Sequence, residues 1–310
     1  MRVAITGAGG RLGRALVEAL DNAPFVGPAG SIAWRRDPFD LDSPDRFPSL
    51  LDRDRPEVVI HAAAWTDVDG CARNPKLANL RNGWAVRDLA AACVERHVDL
   101  VIISTNEVFA GDRTNWKPYA PDDDRRPVNP YGASKLLGER RAAQQFARAT
   151  ADPSGRIPQL GIVRTAWLYG PPGNDFPAKI LAAADRATAA KEPLRAVFDE
   201  WGGPTSTIDV ADAITELLAE DAIEGVHHVV NSGVASRSDW AREVLRQAAM
   251  DVPIEDVPAS TWTRESTPPP WGVLEPTPLP SGEPMRSWQT ALADYIPALL
   301  RQRAKAAVTR

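Results

Sequence analysis

Arg2-Val3-Ala4-Ile5-Thr6-Gly7-Ala8-Gly9-Gly10-Arg11-Leu12-Gly13 opens the chain, and its reading decides the fold. Residues 2–6 form a short apolar run suited to a buried strand, and an amphipathic pattern continues from the glycines through Leu20. Strand, glycine-rich turn and helix in that order aim the first N–H groups of the helix at the turn, where they attract a phosphate. Gly7 permits the tight turn, the middle glycines let the backbone approach a pyrophosphate, and Gly13 lets helix and strand pack closely. A Gly-x-x-Gly-x-x-Gly pattern alone is weak and also fits a merely structural turn. Here it opens the chain in the context that a dinucleotide site requires.

Outward from this unit, strands and helices alternate. Strands are predicted at 31–34, 58–61, 100–104 and 159–165, and helices at 44–51, 76–97 and 131–146. The alternation predicts an α/β fold: a doubly wound parallel Rossmann-type sheet with a smaller, discontinuous C-terminal substrate domain. The dinucleotide-binding domain is expected over residues 1–165. Residues 166–310 form mainly the substrate domain, with some segments returning to the first. That second part reads as helices at 176–190, 209–218, 236–249 and 288–301, strands at 195–198 and 226–231, and a proline-rich extended stretch over 263–284. Ser236 and Asp239 have the spacing of a helix cap.

The chemistry-bearing stretch is Tyr131-Gly132-Ala133-Ser134-Lys135. A tyrosine and a lysine four apart share one helix face, and Asn129-Pro130 supplies an extended entry. A free phenol has a pKa near ~10, so a nearby ammonium is expected to favour the phenolate and bring the group towards the working range. Thr105, at the carboxyl end of the strand over 100–104, is the natural hydrogen-bond partner for a substrate carbonyl.

Other stretches bear on the cofactor. Arg35-Arg36 ends the second strand, where an arginine can accept a 2'-phosphate, so NADPH is preferred with NADH possible; solvated arginines are the alternative. Asp40-Leu41-Asp42 follows and could lie over the adenine. Ala62-Ala63-Ala64-Trp65-Thr66 leaves a strand end with side chains small enough for close approach of a cofactor, although an alanine run is also ordinary packing. Asn82 could bind a water or a neighbouring carbonyl, or be plain surface polarity.

The 310 residues, 44% hydrophobic and 25% charged, are ordinary for a globular protein with a proper core. A formal net charge of -5 argues against general nucleic-acid binding. There is no apolar run long enough to span a bilayer, and the chain enters a strand with no signal-peptide pattern, so a cytoplasmic monomer or homodimer is expected. Cys71 and Cys93 read as reduced structural thiols. His61, His97, His227 and His228 lack ligand spacing, and no metal is expected.

Gly7 to Gly13, Ser104 to Gly111 and Tyr131 to Lys135 together resemble the extended short-chain dehydrogenase/reductases, and most of all the dTDP-4-dehydrorhamnose reductase family. The resemblance also takes in residues 62–69, 131–139 and 164–169, Gly203-Pro204-Thr205, and 288–292, so it covers essentially the whole chain. It implies NAD(P)H-dependent reduction of the 4-keto group of a nucleotide-linked 4-keto-6-deoxy sugar, as in the formation of dTDP-L-rhamnose. By that similarity Tyr131 donates the proton, Lys135 binds the nicotinamide ribose and tunes Tyr131, and Thr105 holds the keto oxygen. Gly7, Gly10, Arg11 and Leu12 contact the pyrophosphate, Ala64, Trp65, Thr66 and Ser104 the rest of the cofactor, and Asn106 and Trp167 the substrate.

Two departures stand out. The family reads Ser-Thr-Asp-Tyr-Val-Phe where this chain has Ser104-Thr105-Asn106-Glu107-Val108-Phe109, and the late proline motif, Thr267-Pro268-Pro269-Pro270, lacks the arginine that often precedes it. Two rival functions follow from the resemblance. One is a non-catalytic, cofactor-binding subunit like the regulatory subunit of methionine adenosyltransferase. The other is a sugar-nucleotide 4,6-dehydratase, which has Thr-Asp-Glu at 105–107; an amide at Asn106 cannot deliver the proton that elimination needs. Glu107 is then expected to be a structural or loop-facing carboxylate.

Overall fold

The computed structural model describes residues 1–308. Strands β1 (Val3–Thr6), β2 (Ile32–Trp34), β3 (Val58–His61), β4 (Asp99–Thr105) and β5 (Leu160–Thr165) join the strand Gly225–His228 in one six-stranded sheet. Every pairing is parallel, and the order runs from Gly225–His228 through β5, β4, β3 and β1 to β2. β1, β3 and β4 are buried throughout, as near-continuous apolar strands covered on both faces must be. The fold is therefore the expected doubly wound, Rossmann-type α/β sheet.

Helices Arg11–Asp21 and Thr207–Ala219 cover one face, packing Leu16, Leu20, Val210 and Ile214 against Val3, Ile5 and Ile60. Helices Phe47–Asp54, Ala85–Glu95 and Pro130–Phe146 cover the other, with Phe47, Leu51, Leu89 and Ala142 against Ala4, Val59 and Leu100. A separate core holds helices Phe176–Ala190, Arg237–Gln247 and Trp288–Val308 together through Leu181, Trp240, Val244 and Leu292. The sheet thus draws its sixth strand and one covering helix from beyond residue 166.

Strand order reverses between β1 and β3, so the loops leaving their carboxyl ends part to opposite faces and open a crevice. The loops nearly touch there. Gly7 has φ +65°, and a Cβ on it would lie 2.8 Å from the Ala63 backbone nitrogen; a Cβ on Gly13 would lie 2.2 Å from the Gly7 carbonyl oxygen. Only glycine fits either place.

Several expected elements differ in detail. The single helix expected over 76–97 is instead Pro75–Asn79, a wide π turn at Leu80–Trp84, and Ala85–Glu95, an interruption centred on the buried Asn82. The helix expected at 44–51 begins as a 3-10 turn, Pro44–Arg46, before Phe47–Asp54. The strand expected to reach Asn231 stops at His228, because Asn231 turns away to accept from the Ser206 backbone N–H and donate to Asp209. Ser236 and Asp239 form a reciprocal capping box. Cys71 and Cys93 are free and buried. Among the described residues, no helix is long and apolar enough to cross a membrane.

Candidate active site

A cleft of about 870 Å³ runs along the carboxyl ends of β1, β3, β4 and β5, walled on its far side by residues after Thr165. One half is shaped for a dinucleotide. Gly10 caps helix Arg11–Asp21 without a side-chain bond, whereas Asp67, Asn129, Asp175, Ser206 and Ser236 each cap the helix that follows them. The first-turn N–H groups beside Gly7, Gly10, Arg11 and Leu12 are left to an anion, so the turn fits a pyrophosphate. Arg11 also donates to Asn174 Oδ1 at 2.5 Å, tying the turn to the far wall.

Ala62, Ala63, Ala64, Trp65 and Thr66 line the next part of the cleft. Thr6 Oγ1 accepts from the Ala63 N–H at 3.1 Å and meets His61 Nδ1 at 2.9 Å. Asn82 is no surface residue: its Oδ1 accepts from the Trp65 N–H at 2.8 Å, and its Nδ2 donates to the Trp65 carbonyl and to Ser134 Oγ, both at 3.0 Å.

At the outer end, Arg36, Asp40, Leu41, Asp42 and Arg81 line the cleft. Arg81 forms a two-pronged pair with Asp42, at 2.7 and 2.6 Å, and lies over the Trp65 ring; its hydrogen bond holds the Asp42 carboxyl below its ordinary range. Arg35 and Arg36 are both exposed, and of the two only Arg36 lines the cleft. The turn after β2 is closed by the Phe39 N–H on the Arg35 carbonyl at 3.0 Å.

The reacting groups converge at the centre. Asn129 caps helix Pro130–Phe146 by accepting from the Gly132 N–H at 2.8 Å, which sets Tyr131 in the first turn. The phenol lies beside the Thr105 hydroxyl. Thr105, itself buried, accepts from the Glu107 N–H at 3.2 Å. Lys135 is buried one turn further on, and desolvation pushes its amine down to about 8.

The expected tuning of the phenol is corrected here. Burial, then the Glu107 carboxylate, push Tyr131 above its ordinary range, and Thr105 opposes them. The Lys135 charge falls on His61, whose imidazole is pushed down to about 3, chiefly by burial. Tyr131 therefore stays protonated across the neutral range, the form a proton donor needs.

Ser104 and Asn106 line the cleft, and Asn106 Oδ1 accepts from the Thr105 hydroxyl at 3.3 Å. Ser104 Oγ donates to Glu139 Oε1 at 2.5 Å, and Glu139 pairs with the fully buried Arg164 at 3.0 and 2.8 Å. Asn106 Nδ2 donates to the Gly272 carbonyl at 2.9 Å, fastening the proline-rich stretch beside the reacting groups. Glu107 is structural rather than loop-facing: it accepts at 2.6 Å from Nδ2 of Asn129, the cap of the reacting helix, while also lining the cleft, and is pushed up by burial.

The far end is aromatic. Trp167, held at φ +43°, stacks on Trp240 at 5.6 Å between ring centres, and Phe176 stacks on Trp240 at 4.3 Å. The Arg237 guanidinium sits 3.6 Å from the Trp167 ring centre and lines the cleft. Sequence reasoning missed Arg237, Phe176 and Trp240. The only available signal was the cap at Ser236, which places Arg237 in the first turn of a helix without saying what it faces.

The sheet order, the glycine turn and the paired Tyr131 and Lys135 define a Rossmann-type α/β protein with a dinucleotide cleft. The chain belongs to the RmlD substrate binding domain family, whose model matches residues 1–301. It is 36% identical over 303 residues to the dTDP-4-keto-6-deoxy-D-glucose reductase of Streptomyces niveus, covering 95% of this chain and 96% of the relative. Two solved structures are similar throughout. The dTDP-4-dehydrorhamnose reductase of Clostridium acetobutylicum superposes with a TM-score of 0.85 at 30% identity, over 97% of this chain and 100% of that one. The dTDP-4-dehydrorhamnose reductase of Bacillus anthracis, in complex with NADP, superposes with a TM-score of 0.81 at 28% identity, over 96% and 99% of the two chains.

Proposed function

We propose that this protein reduces the 4-keto group of a nucleotide-linked 4-keto-6-deoxy sugar, using NADPH. The observation that carries the reading is the convergence of a protonated phenol, Tyr131, and a hydroxyl, Thr105, beside the buried amine of Lys135, next to a cleft half built for a dinucleotide. The family's relatives named as reductases of such sugars support it.

A bound reduced nicotinamide supplies the hydride. Thr105 orients the keto oxygen, and Tyr131 gives that oxygen its proton as negative charge develops there. Lys135 holds the nicotinamide ribose. The uncapped turn at Gly10 to Leu12 holds the pyrophosphate, and Arg36 takes the 2'-phosphate. Trp167 gives the sugar an apolar wall. The test is stoichiometry: NADPH oxidation with a 4-keto-6-deoxy sugar nucleotide should match the alcohol formed one to one. Cofactor binding with no turnover of any such sugar would point to the non-catalytic alternative.

A further inference from the structure

We propose that Arg237 binds the diphosphate of the nucleotide-linked substrate and is the cation by which the cleft selects it. The proposal rests on the reductase reading for the identity of the substrate, but its geometry is independent of the chemistry at Tyr131.

Arg237 is the first residue of helix Arg237–Gln247, whose backbone is tied down by the Ser236 and Asp239 box. Its guanidinium lies over Trp167 at 3.6 Å, with the rings of Phe176 and Trp240 at 5.6 and 6.0 Å, so one face is closed to water. The only carboxylate paired with it is Glu200, reached through Nε at 3.4 Å; among the described residues, Nη1 and Nη2 make no hydrogen bond. Glu200 is itself shared, with Arg264 at 3.6 Å. An arginine built into the fold with its two-pronged edge unused, lining the cleft that holds Tyr131, presents the geometry that a phosphate oxygen pair completes.

Charge selects the class of ligand. The groups facing Arg237 are Glu200, Glu107 and Arg264. Glu200 is one carboxylate shared between two guanidinium groups, 3.4 Å from Arg237 and 3.6 Å from Arg264, so neither arginine has a full partner. Neutral sugar hydroxyls complete neither. A diphosphate completes the open edge of Arg237, and the aromatic floor strengthens the attraction by excluding water. With the sugar's keto group at Tyr131 and Thr105, the diphosphate lies on the far side of the sugar ring from the reacting atoms, on the substrate wall that Arg237 and Trp167 share.

The experiment measures binding of dTDP to the NADPH-saturated protein by calorimetry, for the wild type, Arg237→Gln and Arg237→Lys. Loss of a charge-assisted contact should weaken dTDP binding at least about tenfold in Arg237→Gln, with Arg237→Lys in between. NADPH affinity and melting temperature serve as the check on folding, and Arg237→Lys carries the comparison if the glutamine variant melts early. Added salt should weaken dTDP binding to the wild type much more than to Arg237→Gln. In turnover, the KM for the sugar nucleotide should rise with a smaller change in kcat. Affinity for dTDP within twofold of wild type in Arg237→Gln, or an unchanged KM, overturns the proposal while leaving the reductase reading in place. A wild type that turns over no keto sugar sinks the reductase reading, and the dTDP measurement still decides the role of Arg237.

Discussion

Asn82 and Ser134 meet inside the protein, Nδ2 to Oγ at 3.0 Å, one from the π turn Leu80–Trp84 and the other from the helix that carries Tyr131 and Lys135. Because Asn82 also holds both backbone groups of Trp65, it locks the cofactor loop to the reacting helix. Asn82→Ala leaves the Trp65 N–H and carbonyl without their partner, at about 1–3 kcal/mol for each group left unsatisfied. Urea unfolding should show a lower midpoint, and titration a weaker NADPH affinity. Unaltered values for both would make Asn82 a bystander.

Tyr131→Phe keeps the ring and removes the proton. Turnover should fall by about 10² or more, the scale of general acid catalysis, while NADPH affinity stays near wild type. Retained turnover would remove Tyr131 from the reaction.

Lys135 makes a pH prediction with a definite sign. Its amine is lowered from 10.5 to about 8 in the folded protein, so between those values the unfolded chain binds more protons, and this group's contribution to stability rises with pH. Activity moves the other way. As Lys135 loses its charge through about pH 8 it loses its hold on the ribose, and kcat/KM for NADPH should decline along that limb. Tyr131, pushed up, remains protonated there. In Lys135→Arg the limb should vanish even if the rate is lower, since arginine stays charged. A limb that persists in that variant would assign it to another group.

Arg36 and Arg35 are adjacent in sequence but differ in placement. Arg36→Ala should erase much of the preference for NADPH over NADH, and Arg35→Ala should not. Comparing dissociation constants for both cofactors in the two variants is sufficient. Equal effects from the two changes would mean that the exposed Arg35 reaches the phosphate after all.

Dehydration is expected to be absent, for a reason that lies in Asn106. Its amide, fastened to the Gly272 carbonyl, is too weak an acid to give a departing hydroxyl its proton. Incubation with dTDP-glucose and NAD should yield no 4-keto-6-deoxy product. Efficient dehydration would falsify this assignment and turn attention to Glu107, which stands in the same cleft.

The fold was legible in the sequence because its determinants are local. The apolar run before Gly7, the glycines themselves and the spacing of Tyr131 and Lys135 each act through backbone geometry or helix periodicity, which neighbouring residues reveal. The same holds for the Ser236 cap. What the cleft does with these residues depended on partners far away in the chain. Arg36 lines the cleft and Arg35 does not, a difference between neighbours in a turn that no periodicity encodes. Asn82 is buried because Trp65 and Ser134 close around it. The acidity of Tyr131 moved opposite to expectation, because desolvation and Glu107 dominate its surroundings. Arg237 became a cleft residue only when Trp167 and Glu200 came beneath and beside it. Burial and electrostatic neighbourhood are sums over everything within a few ångströms, and only tertiary packing brings those terms together.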